Sequence, residues 1–213
     1  MRTVFATAVA LVLAQGCTVL EVREISRAAL ESPAQGTIDD EGYVRLPGVR
    51  VAATARNDRV STVMIGPAYF PIFPLPAGIL SPAEAAPYFW IDVAIDPEGE
   101  AFTFDPREVR LHIEPGSSLV PSLTKGPTMV LPPYSRRHSQ ELCGFDPTGE
   151  TTTVAPIPLR ELSCFSLRFE VARPGADAKF AVTVGGLAND GRPVVVPTIH
   201  FARGHAWSLD ALP

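Results

Sequence analysis

The sequence predicts an all-β protein, an antiparallel β-sandwich, from three observations. Short apolar/polar alternations recur at roughly 8–15-residue spacing, about seven to nine in all. They are separated by turn residues, and no helical period is sustained after residue 30. Proline is abundant, 22 of 213 residues, which disfavours the long uniform strands of a barrel. A β-barrel or jelly roll is the rival architecture.

The elements follow in order. Residues 18–40 begin with Val19, Val22, Ile25, Ala29 and Leu30 near helical spacing, mixed with charges, and predict a short helix or a tether ended by Ser32-Pro33. From Tyr43 the pattern turns to strands: Tyr43–Leu46, Val49–Thr54 and Val60–Ile65. Residues 67–87 carry Pro67, Pro71, Pro74, Pro76, Pro82 and Pro87, which excludes a regular interior strand and predicts a long ordered loop. Within it, Ser81-Pro82-Ala83-Glu84 reads as one capped helical turn. Phe89, Ile91, Val93 and Ile95 then alternate with Trp90, Asp92 and Ala94, which places Asp92 on a wet face. Asp96-Pro97-Glu98-Gly99-Glu100 turns the chain, and Ala101–Phe104 is expected to return as the partner strand of a hairpin. Val109, Leu111 and Ile113 give a further alternation. Residues 116–160 look loop-rich, with a short strand at Met129–Leu131. Phe165, Leu167, Phe169 and Val171 face one way and Ser166, Arg168 and Glu170 the other. Phe180–Val184, a glycine loop at Gly185–Gly191, and Val194–Phe201 complete the set. No linker divides residues 41–213, which predicts a single domain there.

Composition limits the function. The apolar fraction of 46% is enough for a core. A net charge of −5 and a pI near 5.4 argue against a nucleic-acid partner, which requires a basic surface.

The first residues carry an address. One positive charge, Arg2, precedes an apolar run from Val4 to Ala14. Its 11 residues match a signal h-region and are too short to span a bilayer. Leu13-Ala14-Gln15-Gly16-Cys17 resembles the lipobox of bacterial lipoproteins, although Gln15 departs from the more usual Ser or Ala. The resemblance implies that residues 1–16 are a signal peptide, that Cys17 is the acylated first residue, and that residues 17–40 form the lipidated N-terminus and tether. It also implies partnership with a membrane through the acyl chains. Lipoproteins retained at the inner membrane of enteric bacteria commonly carry Asp after the cysteine. Thr18 therefore points to the outer membrane, with the domain facing the periplasm or the cell surface. Ordinary secretion, a cytoplasmic protein and an uncleaved anchor are the other readings of this segment. Removing residues 1–16 leaves 17 basic against 23 acidic residues, a formal charge of −6.

With Cys17 acylated, Cys143 and Cys164 remain, an even pair in an oxidising compartment and hence a disulfide candidate. Their separation lacks the close pairing of a zinc knuckle, and no Cys-x-x-Cys redox motif exists. In general character the chain resembles immunoglobulin-like envelope lipoproteins of bacteria. It lacks the antibody Cys-Trp-Cys order, because Trp90 precedes both cysteines.

No catalytic constellation is legible. His200 and His205 lack further metal ligands at useful spacing, with His112 and His138 the remaining histidines. Asp92, Asp96, Glu98, Glu100 and Asp105 lack calcium-loop spacing. The glycine loop lacks a P-loop lysine, and no Gly-x-Ser-x-Gly is present. No metal or cofactor is called for. Two binding candidates stand out. Arg136, Arg137 and His138 form the most basic spot, suited to phosphate or carboxylate. Tyr69, Phe70 and Phe73, with Trp90, could supply an apolar groove or cap the sandwich. The expected function is that of a cell-envelope lipoprotein, a non-enzymatic structural or interaction module with an envelope protein or glycan as partner. The alternatives are a small-molecule, glycan or metal-binding domain, and a hydrolase of envelope polymers.

Overall fold

The computed structural model describes residues 17–32, 36–67, 73–76, 87–99, 101–113, 116–131, 142–144 and 156–212. These residues are all-β apart from one 3-10 turn at Pro106–Glu108, and they form three antiparallel sheets. The chain groups into two compact units. Unit 1 comprises Met1–Ile25, Arg59–Glu84 and His205–Pro213; unit 2 comprises Ser26–Asp58 and Ala85–Gly204. Two long strands, β1 (Cys17–Leu30) and β15 (Ile199–Leu212), each contribute residues to both units.

Unit 2 holds the core. Its five-stranded sheet has the order β2 (Val44–Leu46), β3 (Val49–Ala55), β6 (Phe89–Pro97), β11 (Ser163–Phe169), β9 (Leu123–Thr128). A four-stranded sheet runs β10 (Ile157–Leu159), β7 (Phe102–Phe104), β13 (Leu187–Asn189), β14 (Arg192–Pro193). In the third sheet β12 (Phe180–Thr183) pairs with both β15 and β8 (Arg110–His112). One apolar cluster receives Val51, Ile91, Val93, Phe165 and Leu167 from the first sheet, Phe104 and Leu187 from the second, and Leu111, Val182 and Phe201 from the third. Within it Phe180 stacks on Phe201 at 4.8 Å and meets Phe89 edge-on at 5.4 Å.

In unit 1 strand β4 (Arg59–Pro67) pairs with β1 on one side and with β5 (Phe73–Pro76) on the other. The short helix expected after residue 17 is corrected to the strand β1, whose Cys17 lies opposite Pro67 and Val19 opposite Ile65. Thr18, Val19, Val22 and Ile25 are β-branched, and a strand partner accommodates them better than a helix does. The prolines of β5 sit on an edge strand, where a missing N–H is tolerated.

Three further expectations are corrected in unit 2. Strand β7 does not return along β6, because both edges of β6 are already occupied by β3 and β11; β7 pairs instead with β10 and β13. The loop-rich stretch after 116 contains β9, disguised by Gly126-Pro127. A Cβ on Gly126 would lie 2.5 Å from the Cys164 carbonyl oxygen, so only glycine permits this approach. Met129–Leu131 forms only a single bridge, Val130 with Cys143. The glycine loop is a two-residue hairpin between β13 and β14. Asp190 and Gly191, with φ of 49° and 73°, provide the left-handed turn that fits strand twist.

Candidate functional site

The five-stranded sheet has a second face, away from the apolar cluster, and it is not uniformly wet. The register sets Thr54, Asp92, Ser166 and Lys125 across β3, β6, β11 and β9. The neighbouring rows set Ala52, Ala94 and Cys164 on one side, and Trp90 and Arg168 on the other. Over the alanine row lies a small apolar cluster of Tyr43, Ala52, Ala94, Leu142, Cys143 and Cys164. Cys143 and Cys164 are joined by a disulfide with Cα atoms 5.3 Å apart, as the cysteine count predicts.

Asp92 sits where the covered and open parts of this face meet, and its burial corrects the expected solvent position. Its side chain is wholly inaccessible. Arg56 donates from Nε to both carboxylate oxygens at 3.0 Å and reaches Oδ1 with Nη2 at 2.8 Å. The Ser166 hydroxyl donates to Oδ1 at 2.8 Å. The amides of Leu142 and Cys143 donate to Oδ2 at 2.8 and 3.1 Å. A buried carboxylate is stable only when its lone pairs are met in this way. The group therefore clamps three strands' worth of structure to the 142–143 segment, and its oxygens are already engaged. This is the arrangement of a structural anchor rather than of an acid or base open to substrate.

Arg56 extends the clamp to the open part of the face. Its guanidinium lies 5.9 Å from the Trp90 ring centroid, and the Lys125 ammonium lies 6.0 Å from the same ring. Tyr88 meets Trp90 edge-on at 6.3 Å, and Arg168 stands 5.5 Å over Tyr88. Tyr88 is 38% exposed and the Arg168 side chain 32%, so this end of the face reaches solvent. Ser122 donates to Glu170 at 2.8 Å, and Arg168 pairs with the same carboxylate. The Ser122 hydrogen bond, with the charge of Arg168, holds the Glu170 carboxyl below its ordinary value. The result is a patch of two aromatic rings and three cations against two engaged carboxylates. Its chemistry suits a ligand that offers both a flat apolar face and negative charge.

The residues singled out in the sequence are placed as follows. Cys17 opens β1, and Phe73 opens β5 opposite Ile65. Tyr69, Phe70, Arg136, Arg137 and His138 lie outside the described residues, as does the helical turn at Ser81. His112 is held by the Ser117 carbonyl at 2.9 Å and Thr183 Oγ1 at 3.2 Å, so its ring serves a turn. His200 faces Glu31 at 4.0 Å. Asp96 and Asp105 are paired with Arg50 and Arg107. Among the described residues no group of His, Cys, Asp and Glu has the makings of a metal site. Trp90 and Arg168 are placed on the outward face by strand alternation alone. Their proximity to Lys125 is not in the sequence, because β9 is hidden by Gly126-Pro127 and the register is a tertiary property.

Compared with known proteins, the chain matches no family model, no curated protein and no solved structure.

Proposed function

We propose that the chain is a cell-envelope lipoprotein, acylated at Cys17, whose β domain binds an acidic glycan through the Tyr88–Trp90–Lys125–Arg168 face. The address rests on Leu13–Cys17, and the domain is best regarded as a sandwich of immunoglobulin-like character. The observation that carries the binding reading is the gathering of Lys125, Arg168 and Arg56 around Trp90 and Tyr88 in a chain of net charge −5. Sugar rings present apolar faces that stack on aromatic side chains. Uronate or phosphate groups accept charge-assisted hydrogen bonds from guanidinium and ammonium donors. Bacterial envelopes are rich in such polymers.

The test uses Trp90 fluorescence in the Trp207→Phe protein, titrated with polygalacturonate and, separately, with neutral dextran. Saturable quenching by polygalacturonate alone, weakened by salt, is expected. Lys125→Ala and Arg168→Gln should each weaken binding by about tenfold, the loss of one charge-assisted hydrogen bond. Equal responses to both polymers, or affinity unchanged in both variants, would overturn the reading.

A further inference from the structure

Unit 1 bears on how the protein meets its membrane. Strand β1 begins at Cys17 itself, with Cys17 opposite Pro67 and Thr18 opposite Gly66. No flexible spacer separates the acylation position from the fold. Among the described residues of unit 1, the buried side chains are Thr18, Ile25, Val63 and Ser208. The larger apolar residues there are only half-buried: Val19 and Ile65 on one face, Leu20 and Met64 on the other. On β15 of the same unit, Trp207 is 74% exposed.

We infer that unit 1 lies against the lipid surface that holds Cys17, with Trp207 at headgroup depth; this rests on the acylation of Cys17. A diacylglycerol on the Cys17 sulfur places its glycerol a few bonds from the first paired residue of β1. The headgroup layer is then the nearest medium to this unit. Its half-covered apolar side chains gain there what they lack in the fold, and tryptophan is the side chain best suited to that interface, with an apolar body and a polar N–H. Acyl chains contribute roughly 0.8 kcal/mol per buried CH₂, so the lipid alone holds the protein in place. The role of the protein surface is orientation: the pairing of β1 from Cys17 onward fixes which end of unit 1 turns to the bilayer.

The experiment uses the full acylated chain, purified from bacterial membranes and reconstituted in phosphatidylethanolamine–phosphatidylglycerol vesicles with brominated acyl chains. Intact mass is recorded on the same sample. The expected result is an acylated mass, a blue-shifted emission component, and bromolipid quenching that disappears in Trp207→Phe, an exposed substitution that leaves the fold intact. An acylated, vesicle-bound protein without Trp207 quenching overturns this inference alone. If that protein also self-associates, the exposed face belongs to a second copy. A mass lacking acyl chains overturns the anchor reading, and this inference with it.

Discussion

Replacing Asp92 by alanine should destabilise the protein more than any other single removal of a charge. The carboxylate is fully buried and is met by Arg56, by the Ser166 hydroxyl and by the amides of Leu142 and Cys143. For charge centres about 4 Å apart the pair attraction is about 4 kcal/mol at an effective dielectric near 20. Removing one partner of a buried pair costs about 3–5 kcal/mol, because the other charge is left without compensation. Arg56, at 19% side-chain exposure, can recover part of its hydration, so the lower half of that range is expected. The loss is a large share of the roughly 5–15 kcal/mol that holds a typical domain together. Urea unfolding followed by Trp90 fluorescence in Trp207→Phe protein measures it within unit 2. Arg56→Ala and the double variant complete a cycle in which the double variant should lose less than the sum of the singles. A loss below about 1 kcal/mol for Asp92→Ala would refute the clamp, since that is the size of an exposed pair.

Other predictions concern neighbouring features. Replacing both Cys143 and Cys164 by serine should lower stability by about 3 kcal/mol in the chain-entropy account, measured by urea unfolding beside the oxidised protein; an unchanged midpoint would count against it. Gly126→Ala should be strained on two counts, a φ of +123° and a Cβ 2.5 Å from the Cys164 carbonyl. A loss of about 2 kcal/mol in thermal or urea unfolding is expected. Acid should weaken the fold in part through Asp105, whose carboxyl is held below its ordinary 3.8 by the Arg107 hydrogen bond against a smaller opposing effect of burial. A depressed folded value means that the contribution is present above the unfolded value and is lost as pH falls from there through the folded value. Stability measured from pH 6 to 2 should therefore fall less steeply in Asp105→Asn, and identical slopes would contradict the assignment.

Much of the fold is written in local pattern. The alternation of Phe89, Ile91, Val93 and Ile95, and of Phe165, Leu167 and Phe169, correctly turns these side chains into the core. With Cys17 set aside, only one pairing of the remaining cysteines exists, and the bridge follows. Period two is a property of neighbouring residues, so a single chain reveals it. The helical spacing of Val19, Val22 and Ile25 misleads because a few apolar residues fit either period. The choice was made by β4, through pairs such as Val19 with Ile65.

The candidate site belongs to the other category. Alternation tells that Asp92 leaves the apolar core, but not that a segment 50 residues further on comes down to bury it. Nor does it tell that Arg56, 36 residues before, supplies the opposite charge. Trp90, Lys125 and Arg168 become neighbours only through the register of β6, β11 and β9. Thus the sequence by itself determined the strand class, the inward residues and the cysteine pair, because these depend on local periodicity and on counting. Tertiary structure alone decided which strands pair, which polar groups are buried and which cations gather, because those depend on distant segments competing for the same sheet edges and faces.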